Sequence, residues 1–390
     1  MPRSATLTRV IKMVTRSVII GNLCALDDAD LIAAALRCAR ANADELRGDG
    51  ITRRPWGWDT FPPQQYAELF RFKSADDIQH LMDELDFPGD EYWRLPNGNF
   101  TREEAMLLFL RRLSYPANYL HLSREGFSAQ RGALSQLYNK VGEWMFVNHT
   151  HRLLRTGMSK WAGRVPEYSR RVGDYTGFPT INVFGFLDGT SRAIGRPGFW
   201  QRAFYSGHKR RHCLQFLSVT APDGMILFTH GPTNGAHQDN WLVNDCKLNE
   251  QLKHLNDILG DARHPFAIYG DPIFAHTAYI RKAMPRYERT LAHEIFNKAM
   301  NAARVSIEHV FGIVVSLWAY VDFSKKQNLS WTNPATAYLN AQFLTNCHNC
   351  MYGNQVSNCF QIDPPTLHEY IHTLREEPEG PDVNDDIENR

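Results

Sequence analysis

Three carboxylates stand where a carboxylate needs a reason. Asp188 follows the apolar run Ile181-Asn182-Val183-Phe184-Gly185-Phe186-Leu187, and Asp271 follows Phe266-Ala267-Ile268-Tyr269-Gly270. Both runs have the length and composition of buried strands and close on turn residues, Asp-Gly-Thr and Asp-Pro. Glu308 lies in Ala303-Arg304-Val305-Ser306-Ile307-Glu308-His309-Val310-Phe311-Gly312. A helix with those apolar neighbours is at least half buried, and a charge there is costly unless it is paired or bound to a cation. Ligands gather at strand ends in open α/β sheets. Two acids on strand ends and one on a packed helix can hold two divalent cations about 3.5–4 Å apart. Such a pair activates a water or a 3′-hydroxyl and stabilises the leaving oxygen of a phosphodiester. Hard oxygen donors select Mg²⁺ or Mn²⁺. Plainer readings stay open: Asp-Gly and Gly-Asp-Pro are common turns, and Glu308 can pair with Arg304 one turn earlier.

Other residues surround this set. The segment from Ser191 to His212 carries Arg192, Arg196, Arg202, Lys209, Arg210 and Arg211, interleaved with Phe199, Trp200, Phe204 and Tyr205. Basic residues neutralise phosphates and aromatics stack on splayed bases, so this loop is a candidate DNA contact. A solvated basic loop pinned by buried aromatics is the alternative. Asn297, Asn301 and Arg304 fall near the helix face of Glu308; Arg304 can line the site, orient Glu308 through a salt bridge, or do both. Asp239 is a rival ligand, but at the start of a predicted helix it suits an N-cap better. Cys347-His348-Asn349-Cys350 with Cys359 offers one half of a zinc set; without a second pair, buried cysteines on a helix are the better reading.

The elements that position these residues fall into two blocks. Residues 1–60 form an N-terminal extension, expected to be partly disordered, with one helix from Asp28 to Leu46 stopped by Gly48-Asp49-Gly50 and a loop at Arg53 to Trp58. Residues 61–160 read as all-helical. Ser74-Ala75-Asp76-Asp77 and Thr101-Arg102-Glu103-Glu104 are capping boxes that open helices carrying Ile78, Leu81, Met82 and Leu85, then Met106, Leu107, Leu110 and Leu113. A short helix from Pro116 to Leu122, a break at Glu125-Gly126-Phe127 and an N-cap at Ser128 precede a long helix bearing Leu134, Leu137, Val141, Trp144 and Met145. That order is the grammar of a helix-turn-helix; an ordinary helical bundle shares it. From 161 to 375 the pattern is mixed α/β: a strand before Asp188, a strand at Cys213–Val219, the turn Pro222-Asp223-Gly224, a return strand at Met225–Phe228, a helix from Asp239 to Leu248, the strand before Asp271, a helix from Leu291 to Trp318, another from Tyr338 to Cys350, and a short closing helix within Pro364–Leu374. Residues 376–390 are an acidic tail expected to be disordered.

Composition narrows the class. The chain has 390 residues, 43% hydrophobic and 22% charged; those proportions exclude a wholly disordered, collagen-like or coiled-coil chain. No run of 18 apolar residues occurs, so no membrane helix is expected. The net charge is +1, but the tail from Glu376 holds seven acids and one arginine, so residues 1–375 carry +7. That balance is compatible with nucleic acid without requiring it. Seven cysteines, an odd number, with no secretory signal point to a reducing compartment. The first acid is Asp27, after Arg3, Arg9, Lys12 and Arg16; a frayed basic N-terminus is the commoner explanation, a mitochondrial transit peptide the other.

The blocks around the three acids resemble, in order, those of the Harbinger-type DDE transposases. Phe184-Gly185-Phe186-Leu187-Asp188-Gly189-Thr190 resembles the first-aspartate block, and Tyr205-Ser206-Gly207-His208-Lys209-Arg210-Arg211-His212 the block after it. Gly231-Pro232 through Gly235-Ala236-His237-Gln238-Asp239 is similar to the glycine/His-Asp block. Ile268-Tyr269-Gly270-Asp271 resembles the second-aspartate block and Arg304 to Gly312 the block of the third acid. The sequence departs from the pattern at Pro272-Ile273-Phe274 and at the interrupted pair His237-Gln238-Asp239. The resemblance implies an α/β RNase H-like catalytic domain with a mixed sheet at 161–375, preceded by an all-α, helix-turn-helix-containing domain. It implies Asp188, Asp271 and Glu308 as the catalytic acids; with the reading above they are expected to hold two Mg²⁺ or Mn²⁺, and Arg192, Arg202, Lys209, Arg210, Arg211 and Arg304 are the expected DNA contacts. The expected chemistry is hydrolysis at transposon ends followed by attack of the freed 3′-hydroxyl on target DNA. A nuclear location, a Myb-like DNA-binding accessory protein, a homo-oligomer and no membrane association belong to the same expectation. A domesticated, non-catalytic DNA- or protein-binding factor keeping the fold is the rival from another class, and a nuclease that cuts without joining shares the triad.

Overall fold

The computed structural model describes residues 56–375 except 128, 261–262, 285–289 and 330–331. The expected helix at 28–46, the first half of the loop at 53–58, the Ser128 cap and the acidic tail lie outside the described residues.

The first block is helical. Helix α1 (Ala75–Glu84) begins where the Ser74 hydroxyl accepts from the Asp77 amide, and α2 (Arg102–Ser114) begins in a full capping box of Thr101 and Glu104; both starts follow from the local sequence. A four-residue helix (Tyr119–Leu122) and a widened turn (Ser123–Phe127) lead to α3 (Arg131–Met145). The order of elements is that of a helix-turn-helix, and α3 buries one face. Ala133, Leu134, Leu137, Tyr138, Val141, Gly142, Trp144 and Met145 are buried. The Lys140 ammonium, on its outer side, donates to the Tyr92 carbonyl and lies over the Tyr92 ring. Helix α4 (Val165–Thr176) ends at Gly177 in the left-handed conformation and packs on the first strand.

The sheet is built from β1 (Val183–Ala193), β2 (Tyr205–Ser206), β3 (Arg211–Thr220), β4 (Ile226–Asn234), β5 (Ala267–Gly270) and β6 (Ile280–Arg281). β3 runs antiparallel between β4 and β1, and β5 and β6 continue beyond β1 in parallel. The short β2 pairs with the start of β3. This mixed sheet with helices is consistent with an α/β nuclease-like domain. Helices α5 (Asp239–Asp245) and α6 (Leu248–Leu259) connect β4 to β5, and α7 (Leu291–Leu317) follows β6. Where one helix was expected from Asp239 to Leu248 there are two. Lys247 takes a left-handed conformation (φ 49°) and caps the second, which breaks the helical path.

Helix α8 (Pro334–Tyr352) runs through the interior, and α9 (Leu367–Ile371) is the last α-helix among the described residues. Asn340, Gln342, Thr345, Asn346 and Asn349 on α8 are all buried. They bond partners on neighbouring elements: Asn346 accepts from the Ile226 amide and donates to the Ile226 carbonyl, each at 2.9 Å, extending the edge of β4. Asn340 donates to Gly142 O and accepts from Thr150, and Asn349 donates to Gly224 O. Such pairing is what lets polar groups sit in a core. The buried apolar residues from Trp56 to Leu374 form one continuous core. The helical block and the sheet therefore share an interior across residue 160.

Candidate active site

The sheet brings two of the three acids side by side. Leu187 and Gly270 are register partners on the parallel strands β1 and β5, so Asp188 and Asp271 are the next residues on neighbouring chains. Against β5, Asp188 stands at the end of the pairing. Against β3 the ladder continues, with Asp188 opposite Ser218 and Ala193 opposite Cys213. The strand thus does not stop at Asp188-Gly189-Thr190, as turn chemistry suggested: an antiparallel partner outweighs local turn propensity. Asp271 begins a turn, its Oδ1 accepting from the Ile273 amide at 3.0 Å and its carbonyl from the Phe274 amide at 3.0 Å. Phe274 is buried against Gly270, where an added Cβ would meet its ring at 2.7 Å.

Helix α7 supplies the third acid and its link to the first. Arg304 Nη1 is 3.7 Å from Asp188 Oδ2 and its Nη2 is 3.3 Å from Glu308 Oε1. The arginine is largely buried, its Nε has no partner, and Glu308 is 54% exposed. The helix is half buried as expected, but Glu308 lies on its outer side and reaches the site through Arg304. Asp188, Asp271 and Glu308 do not gather within 4.8 Å of one another among the described residues; a cation stands between the first and the third, and it is the guanidinium.

A fourth acid belongs with them. Asp239 does not cap helix α5: Gln238 holds the N-cap position and Asp239 is the first helical residue. Its carboxylate lies so close over Gly189 that a Cβ there would fall 2.4 Å from Oδ1. Only glycine leaves that space. Asn240 fixes the helix start to the turn after Asp271, donating to Ile273 O at 2.6 Å and accepting from the Ala275 amide at 3.0 Å. Asn240 could not be singled out from the sequence, because its partners lie 33 and 35 residues away.

Electrostatics mark the cluster. Burial pushes Asp188 up to about 6; the Gly189 amide and Arg304 oppose the rise, and the charges of Asp239 and Asp271 add to it. Burial likewise raises Asp239, with Lys209 and His208 opposing and Asp271 adding. Carboxylates crowded in this way are under-compensated, and hard oxygen donors in that state fit a divalent cation.

The basic residues divide. Arg192 points inward: it donates to Thr190 Oγ1, pairs with Asp322, lies over the Tyr338 ring and keeps 12% exposure. Lys209 and Arg211 both donate to Ser191 Oγ, at 3.0 and 3.3 Å, bringing the basic block against β1 near the acids. Arg202 and Arg210 are exposed, as are Phe199 and Tyr205, while Phe204 is buried. Of the asparagines on α7, Asn297 is structural, holding Met284 through both amide atoms, and Asn301 accepts from Tyr269. His237 and Trp241 pack with ring centroids 3.7 Å apart and planes tilted by 31°, close in sequence to Asp239, with Trp241 exposed; sequence spacing gave no sign of that pair. Cys347 is buried and Cys359 exposed, and no thiol joins a metal-ligand cluster among the described residues. Nor is any helix among those residues long and apolar enough to cross a membrane.

Residues 187–346 match the family model described as DDE superfamily endonuclease, a span that holds Asp188, Asp239, Asp271 and Glu308. Alpha-N-acetylgalactosaminidase of Shewanella oneidensis is 20% identical to the chain over 280 residues, 70% of this chain and 59% of that protein. The chain thus spans less than two thirds of the length of the curated relative it matches. No solved structure matches it.

Proposed function

From the DDE superfamily endonuclease domain at 187–346, we propose that the chain is a metal-dependent DNA transposase of Harbinger type. It cuts at transposon ends and passes the freed 3′-hydroxyl to target DNA. The observation that carries the reading is the juxtaposition of Asp188 and Asp271 on neighbouring parallel strands, with Glu308 joined to Asp188 through Arg304. The strand order and directions also suit an RNase H-like domain.

In this reading Asp188, Asp271 and Glu308 hold two Mg²⁺ or Mn²⁺, with Asp239 within electrostatic reach of the first two. The bound ions would supply an activated water or 3′-hydroxyl and stabilisation of the leaving oxygen. Arg304 keeps Glu308 turned toward Asp188. Lys209 and Arg211, anchored on Ser191, hold positive charge beside the acids, where it opposes the repulsion between carboxylates and a phosphodiester. Arg202 and Arg210 are free to meet phosphates farther along. A nuclear location, a Myb-like partner for end recognition and a homo-oligomer complete the proposal.

The test is a cleavage assay with purified protein, DNA from both flanks of its own gene, and Mg²⁺ or Mn²⁺, run beside Glu308→Gln. Metal-dependent nicking at the flank ends, lost in the variant, supports the enzyme and the third acid together. Strand-transfer products separate a transposase from a nuclease. A folded protein that binds DNA without nicking it, even with nuclear extract added, would leave a non-catalytic binder.

A further inference from the structure

A second group of metal-type ligands lies outside the acid cluster and shares no residue with it. Glu84 closes α1, His368 lies on α9, and His372 caps α9 one turn later. His368 Nδ1 and His372 Nε2 both sit 3.0 Å from the same carboxylate oxygen, Glu84 Oε2. The three ligand atoms lie within 4.8 Å of one another, the one such group among the described residues. The two rings are 4.7 Å apart, as an i, i+4 pair on one helix face requires. Glu84 is 17% exposed and His368 68%, so the group is held from below and open to solvent on one side.

We propose that Glu84, His368 and His372 form a binding site for Zn²⁺ or a similar transition-metal ion, with water as the fourth ligand. Two imidazoles and one carboxylate are a donor set that suits zinc. Zinc bonds of 2.0–2.1 Å in a tetrahedron put ligand atoms about 3.3 Å apart, so the carboxylate–imidazole separations need to open by only a few tenths of an ångström. His368 presents Nδ1 and His372 presents Nε2, each leaving its other ring nitrogen facing away. The ion would clasp α1 to the closing helix, across 284 residues of chain.

The experiment uses the full chain, stripped with a chelator and then titrated with Zn²⁺ alone by calorimetry in excess Mg²⁺, which occupies hard-oxygen sites. Co²⁺ provides a visible spectrum as a second readout. One equivalent per chain is expected, with affinity falling at least about tenfold in each of Glu84→Gln, His368→Ala and His372→Ala. Glu84→Gln keeps an oxygen acceptor for both imidazoles, so the helices stay docked and folding failure cannot imitate loss of the site. Zn²⁺ should also raise the melting temperature of the wild type and leave that of Glu84→Gln unchanged. No saturable binding, or binding equal in wild type and all three variants, overturns the proposal; the second result would move the metal to the thiols or the acid cluster.

Discussion

Asp188 should make the metal-free protein less stable as pH rises, and replacing it should remove that dependence. Its carboxyl is pushed from 3.8 to about 6 in the folded chain, so the folded state holds a proton that the unfolded state has lost between those values. Below pH 4 both states are protonated and no penalty exists. The advantage of the folded state is lost as pH rises through 6, and above that the ionised, crowded carboxylate carries the full cost. A rise of that size corresponds to about 3 kcal/mol between protonation states. With one fifth of the side chain exposed, about 2 kcal/mol is the better expectation once solvent screening is allowed for. Asp188→Asn keeps shape without charge, so in chelator it should be more stable than wild type by about that amount at pH 7.5 and by about one third of it at pH 4.5. Urea denaturation of both proteins at the two pH values measures this. On the proposed metal role, millimolar Mg²⁺ should close the gap at pH 7.5 by stabilising wild type alone. A gap that is absent, or identical at both pH values, would refute the view that burial, with neighbouring charge adding to it, penalises the ionised Asp188.

Three further outcomes follow from named residues. Gly189→Ala places a methyl group on the Asp239 carboxylate; cleavage should fall at least about tenfold, some 1.4 kcal/mol in the barrier, with folding retained, and full activity would remove Asp239 from the site. Asn346→Ala strips the Ile226 amide and carbonyl of their partners inside the core, so urea unfolding should show a loss of about 2–4 kcal/mol. A loss under about 1 kcal/mol would mean that water replaces the amide. Replacing Lys209, Arg210 and Arg211 together by Ala should lower the slope of log affinity against log salt by up to about 0.9 for each phosphate that is no longer neutralised; an unchanged slope returns the block to a solvated loop.

The site was legible where local pattern and tertiary role agree. Buried strands bounded by Asp announce themselves, so Asp188 and Asp271 could be placed next to a sheet before any pairing was known. What failed were choices made by distant partners. Asp239 has the chemistry of an N-cap, and only its packing over Gly189, fifty residues earlier, assigns it elsewhere. Arg192 counts as positive charge in a basic loop, yet Asp322 and Tyr338 turn it inward. A helix here was expected from Tyr338 to Cys350 and runs over Pro334–Tyr352, but its five buried polar residues have meaning only against strand edges and turns far along the chain. Glu84, His368 and His372 carry no spacing signature beyond one helical turn, since their third member arrives from the other end of the described chain.

The continuous core from Trp56 to Leu374 has a consequence for how DNA would be measured. A reading module on a flexible linker explores a volume, and the distance from what it grips to where chemistry occurs is set by linker statistics. Here the helices before β1 are welded to the sheet that carries the acids. Any duplex gripped on the helical side would meet Asp188 and Asp271 at a constant offset in base pairs, as along a ruler. Separating the two parts between Thr176 and Val183 would expose the interior that both share.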